Sequence, residues 1–232
     1  MKKITIAILV TLFSYSIASA ELGISIGVSG QVGTMEATGS ELNSDGRSST
    51  ETSPVKEALF GTAGFFIEKD LKFVPLPIVN RLSIGFSNIS HDLDMGTTSN
   101  FREASLGTKA ANTVIATTHS LNAKVTGFDT VYATLNITDW LYVKAGNVSV
   151  DVKTAFTGSA TSTYATNHSL DGTMTGIGIS KATDNGLFFR LEYNDYEIDG
   201  KSVANTGTDS KFTARLNDVS GSTGRISIGK KF

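Results

Sequence analysis

The feature that most constrains this chain is a period of two. From Leu22 the apolar residues Leu22, Ile24, Ile26, Val28 and Val32 stand between Gly23, Ser25, Gly27, Ser29 and Gln31. Successive side chains of an extended strand point to opposite faces, so this pattern makes a strand with one greasy face and one polar or small face. Seven further segments show a similar pattern. Glu57 to Glu68 places Leu59, Ala63, Phe65 and Ile67 on one face, and Arg81 to Ser90 places Leu82, Ile84 and Phe86. Ser120 to Ile137 sets Leu121, Ala123, Val125, Val131, Ala133 and Leu135 against Asn122, Lys124, Thr126, Thr130 and Thr134, with Asp129 out of place on the apolar side. Trp140 to Val152, Leu170 to Lys181, Leu187 to Ile198 and Lys211 to Phe232 complete the set. In Trp140 to Val152 the apolar phase moves from Leu141, Val143 and Ala145 to Val148, Val150 and Val152, which predicts a β-bulge at Gly146-Asn147.

Composition removes competing classes. No Cys is present, so neither a disulfide framework nor a thiolate metal site is available. A formal net charge of -2 supplies no basic patch for nucleic acid. No apolar run reaches the ~18 residues of a membrane-spanning helix. At the N-terminus, Lys2 and Lys3 precede the apolar stretch Ile4 to Phe13, and Ala18-Ser19-Ala20 closes it with small residues. This is the layout of a secretory signal, expected to occupy residues 1–20 and to leave a mature domain of 21–232. Its removal takes away two lysines and no acid, moving the formal charge from -2 to -4.

Eight strands is an even number, and their connections alternate in kind. Gly39 to Lys56, Asp92 to His119, Thr154 to Ser169 and Asp199 to Ser210 are long and polar. Thr138-Asp139 and Ala182 to Gly186 are short, and Asp184-Asn185-Gly186 is a hairpin signal. Asp70 to Asn80 is longer, but Pro75 and Pro77 cannot join a ladder and suit a rigid cap at one rim. Long loops at one end and turns at the other are the asymmetry of an outer-membrane barrel. The expected fold is therefore all-β: an eight-stranded antiparallel up-and-down transmembrane β-barrel, its greasy faces turned to lipid. The polar faces then point inward, and Arg190, Glu192, Lys124, Arg215, Arg225 and Glu68 are the expected interior charges, both signs being present so that they can pair. Phe65, Phe66, Phe73, Trp140, Tyr142, Phe188, Phe189 and Phe232 fall near the short-turn ends, where an aromatic girdle is expected.

The chain closes with Arg225-Ile226-Ser227-Ile228-Gly229-Lys230-Lys231-Phe232, an alternating strand ending on an aromatic. Together with Val131 to Val150, where Val-Tyr-Ala-Thr-Leu-Asn runs through a tight turn into Trp-Leu-Tyr-Val-Lys-Ala-Gly-Asn, this resembles the small OmpA-like and opacity-type outer-membrane barrels. The resemblance implies that Phe232 is an assembly signal read by the barrel-assembly machinery, that outer-membrane lipid surrounds the wall, and that the protein is a monomer in the bacterial outer membrane.

Candidate chemistry is sparse. His119-Ser120-Leu121-Asn122 and His168-Ser169-Leu170-Asp171 open two strands in the same way, which raises an outer-membrane lipid hydrolase. Neighbours on a strand point to opposite faces, however, so neither His-Ser pair is a dyad by itself. His91, Asp92 and Asp94 could meet a cation, with no second ligand cluster to join them. No phosphate-binding G-x-x-x-x-G-K-[ST] loop is present, and no cofactor is called for. The leading expectation is a non-catalytic structural or surface-contact protein with four extracellular loops. A porin-like channel for small polar solutes is the alternative, weakened because aqueous pores take ~16–18 strands.

Overall fold

The computed structural model describes residues 22–43, 51–52, 56–72, 74, 76–89, 92–105, 114–157, 164–206 and 212–232. The expected signal segment, Phe73 and His91 lie outside them. In chain order the strands are β1 (Ile24–Ala37), β2 (Gly39–Asn43), β3 (Glu51–Thr52), β4 (Lys56–Asp70), β5 (Leu82–Ile89), β6 (Leu93–Ser105), β7 (Val114–Asn136), β8 (Leu141–Thr157), β9 (Asn167–Ala182), β10 (Leu187–Ile198), β11 (Lys201–Ala204), β12 (Phe212–Leu216) and β13 (Val219–Lys231).

Eight of them close into an antiparallel barrel in the order β1-β4-β5-β7-β8-β9-β10-β13, with β13 returning to β1. The closing seam runs from Ser25↔Lys231 to Glu36↔Ser220, and the Phe232 amide donates to the Ile24 carbonyl at 2.8 Å. The remaining strands stand at the long-loop end. There β6 extends the wall as a hairpin with the first half of β7, while the first and fourth long connections build a separate sheet in the order β11-β12-β2-β3. At the other end the turns are short, and the 71–81 connection is braced by Leu71 donating to the Leu82 carbonyl and by a 3-10 turn at Val79–Arg81.

Each wall strand turns an exposed apolar residue outward: Val32, Phe65, Ile84, Val131, Val143, Ile177, Leu191 and Ile226 form a continuous belt. Above the belt, toward the long loops, the wall reverses. The outer face there carries Glu36, Glu57, Asn147, Ser149, Asp171, Asp195 and Glu197, all exposed. The inner face carries a buried apolar cluster of Phe128, Tyr132, Val148, Val150, Leu170, Met174, Tyr196 and Ile198. The lower half is thus greasy outside and the upper half greasy inside.

That reversal corrects the expected bulge. β8 pairs without a register shift through Gly146 and Asn147 on both sides, and Val148 and Val150 simply face inward into the upper core. The interruption falls instead on β7, between Val125 and Gly127. It brings Val125 against the core while Val131 faces out. Asp129 does lie on the outer face, as the alternation requires, and accepts a hydrogen bond from its cross-strand partner Asn88 at 2.5 Å.

Candidate functional site

The inner faces of the lower half converge on an ionic cluster. β4 delivers Glu68, β10 delivers Arg190 and Glu192, β8 delivers Lys144 and β13 delivers Arg225, each by the alternation that sends their belt neighbours outward. Glu68, Lys144, Glu192 and Arg225 are buried, at 2%, 4%, 4% and 5% exposure. Arg190 donates to both oxygens of Glu68, Nη1 to Oε1 at 2.5 Å and Nη2 to Oε2 at 2.6 Å. Tyr132 Oη donates to Glu68 Oε1 at 2.8 Å. Glu192 receives Tyr142 Oη at 2.8 Å and Lys144 Nζ at 3.4 Å on Oε1, and Arg225 Nε stands 3.4 Å from its Oε2. Both carboxylates therefore meet a phenol and at least one cation, which is what makes a buried ion pair tolerable.

Aromatic rings line the cluster. The Arg190 guanidinium carbon lies 4.6 Å from the Phe188 ring centroid, 5.4 Å from Tyr142 and 5.5 Å from Phe66, and Lys144 Nζ is 3.8 Å from the Tyr132 centroid. Cation–π contacts of this kind strengthen where water is excluded. The rings fit because the wall opposite is bare. A Cβ on Gly85 would come within 2.5 Å of Tyr132, one on Gly178 within 2.5 Å of Tyr142, and one on Gly229 within 2.5 Å of Phe188.

Of the six charges expected inside, Arg190, Glu192, Arg225 and Glu68 lie together here. Two do not. Lys124 sits on β7 beyond the interruption at Val125–Gly127, in the hairpin above the wall, with Nζ 2.9 Å from Asp92 Oδ2. Arg215 is exposed on β12, in the loop sheet opposite Ser40 and Ser202. The strand expected from Lys211 to Phe232 breaks at Asn217 and Asp218. Asn217 bonds to Thr38, with its amide on the carbonyl at 2.9 Å and Nδ2 on Oγ1 at 2.8 Å, and Asp218 accepts from the Gly200 amide. Lys144, not among the expected charges, belongs to the cluster. Its signal was a lysine between the outward Val143 and Ala145.

The expected aromatic girdle divides. Phe65, Trp140 and Phe189 are outward and exposed, whereas Phe66, Tyr142 and Phe188 are buried around Arg190. Phe232 is half-buried at the seam. His168 Nε2 lies 3.4 Å from Thr154 Oγ1, and Ser169 is exposed on the other face. His119 pairs in β7–β6 register with Asn100. Asp94 accepts from Asn122 Nδ2 at 3.2 Å. Among the described residues, no group of three His, Asp or Glu is placed to hold a metal ion.

A closed eight-stranded wall with an apolar belt outside and ion pairs inside defines a β-barrel built to be solvated by something other than water along its lower half. No family model matches the chain, and no curated protein matches its sequence. Solved structures that follow a similar course include the outer membrane protein OprG of Pseudomonas aeruginosa, at 10% identity over 92% of this chain and 98% of that one, with a TM-score of 0.44. Others are the outer membrane protease OmpT of Escherichia coli, at 8% identity over 94% and 100% with a TM-score of 0.44, and Neisserial surface protein A, at 12% over 92% and 100% with 0.40.

Proposed function

We propose that this protein is a bacterial outer-membrane barrel with a structural and surface-contact role, neither catalytic nor conducting. The observation that carries the reading is the reversal of the wall. A belt of exposed apolar residues on all eight strands is far more contiguous than a water-facing surface tolerates, and it ends abruptly at Glu36, Glu57, Asn147, Asp171 and Asp195. Lipid around the lower half and water around the upper half satisfy both faces. The short turns then face the periplasm, and the sheet of β2, β3, β11 and β12 stands outside as the contact surface.

Against conduction, the lumen of the lower half is filled by the paired charges and their aromatic lining, and a void within the wall beside Arg225 measures about 10 Å³. Against a dyad of His168 with Ser169, His168 Nε2 lies 3.4 Å from Thr154 Oγ1 while Ser169 is exposed on the opposite face. Barrel-assembly machinery reading Phe232, and a monomer in the membrane, complete the proposal.

Membrane fractionation combined with gel mobility tests it. The protein is expected in the outer-membrane fraction and to migrate differently when unheated and when boiled. Recovery as a soluble periplasmic protein with no mobility difference overturns the reading. In planar bilayers no resolvable conductance steps are expected, and stable steps would restore the channel.

A further inference from the structure

We propose that the barrel binds a single monatomic anion of the halide class, held inside the wall beside Arg225. The cavity there, about 10 Å³, has room for one water-sized sphere. Its lining includes Ser29, Gln31, Thr62, Ser87, Thr130 and Arg225, and no carboxylate. Thr62 and Arg225 are more than nine-tenths buried; Thr62 Oγ1 has no hydrogen-bond partner among the described residues, while Arg225 Nε is turned to Glu192 Oε2 at 3.4 Å. Beside the apolar Ile89 and Phe128, the lining offers the Arg225 guanidinium and the Thr62 hydroxyl as donors, and the small void leaves no room for polyatomic anions such as phosphate or sulfate.

Charge balance selects an anion over water. The cluster sets Lys144, Arg190 and Arg225 against Glu68 and Glu192, three cations facing two carboxylates. Arg190 takes both oxygens of Glu68, so Glu192 is left to serve Lys144 and Arg225 together. The surplus positive charge therefore falls on the side of the network that adjoins the cavity. A buried charge without a partner is strongly disfavoured. Water would satisfy Thr62 and leave that surplus, whereas a halide accepts from Thr62 and neutralises Arg225. This goes beyond the structural role proposed above and does not depend on what the loops contact.

The test uses the folded full-length mature protein in detergent micelles. Its unfolding midpoint is measured in sodium gluconate and in sodium chloride or bromide at constant ionic strength. A saturable rise with halide is expected, and it is expected to vanish in Thr62→Val, which keeps the volume and removes the hydroxyl. Crystals grown in bromide should show an anomalous peak within hydrogen-bond distance of Thr62 Oγ1 and beside Arg225. Equal midpoints in gluconate and halide overturn the proposal, as does a halide-dependent rise that survives in Thr62→Val. A cavity holding only water at saturating bromide also overturns it. The wild-type bromide measurement decides alone if Thr62→Val does not fold.

Discussion

Arg190 grips Glu68 with both Nη atoms, at 2.5 and 2.6 Å, although the two residues are 122 positions apart and their strands, β10 and β4, are three apart around the wall. The pair therefore reaches across the lumen, tying opposite sides of the barrel together at one height. Removing one partner leaves the other buried and uncompensated, at a cost of about 3–5 kcal/mol. Glu68→Gln and Arg190→Met are each expected to lower the urea midpoint of the barrel refolded in detergent. The double variant Glu68→Gln/Arg190→Met should lose less than the two singles combined. Additive losses would show that the two side chains do not act as a pair.

The glycines opposite the rings are sockets, which is testable at Gly178. An added methyl there lands 2.5 Å from Tyr142 Cζ and 2.6 Å from its Oη, the atom that donates to Glu192. Gly178→Ala should push the phenol off the carboxylate and cost about 1–3 kcal/mol, the range for overpacking a well-filled core. Combining it with Tyr142→Phe should give less than the sum, because the hydrogen bond is already gone. A Gly178→Ala midpoint equal to the parent's would mean that the ring is not confined there.

How much of this was legible beforehand depends on range. Alternation is local, and it suffices to pair Phe189 and Leu191 outward with Arg190 and Glu192 inward, or Ile67 outward with Glu68 inward. It also implies that Phe66, Phe188 and Tyr142 belong inside, a consequence hidden by reading aromatics near the rim as a girdle. Alternation does not say which side of the wall is greasy at a given height. Val148 and Val150 thus resembled a change of phase when they are an inward core above the belt. Lys124 and Arg215 depend on features with no local signature: an interruption in β7, and a break in the last strand stitched by Thr38 and Gly200 from distant loops.

The boundary of the lipid is predicted to fall between Val143 and Asn147 on β8. Both side chains face outward on the same regular strand, four residues apart. Arginine on the lipid face costs about 2–4 kcal/mol near the bilayer midplane and about 0–1 near the interface. Val143→Arg should therefore lower the stability of the barrel folded into vesicles by the larger amount and Asn147→Arg by the smaller. Equal effects in vesicles would mean that the belt is not where lipid lies.

The seam between β1 and β13 gives Phe232 a structural place of its own. Its amide holds the Ile24 carbonyl at 2.8 Å, and its ring lies 5.6 Å from Lys230 Nζ. Deleting Phe232 removes that last rung of the closing ladder. The fraction of protein with the heat-modifiable mobility is expected to fall in the outer membrane, and more steeply there than on refolding in detergent, where no receptor takes part. Normal membrane levels of the variant would argue against an assembly role.

Acid should loosen the short-turn rim before the rest of the barrel. Asp70 lies past the last belt residue of β4, Ile67, and is bonded by Lys231 across the seam and by Ser83 Oγ at 2.7 Å. Partial burial works to raise its pKa. The hydrogen bonds from Lys231 and Ser83, with the charges of Lys231 and Lys72, outweigh this and hold the carboxyl below its ordinary 3.8. A carboxyl whose pKa is lowered by folding stabilises the folded state above the unfolded value, and that contribution fades as pH falls through the folded one. Stability from this pair is therefore expected to be complete above about pH 5 and to decline below pH 4. Asp70→Asn should remove that part of the decline, lowering the midpoint at pH 7 while leaving it nearer the parent's at pH 3. A constant difference between the two proteins from pH 7 to pH 3 would mean that the ionised carboxyl contributes nothing at the rim.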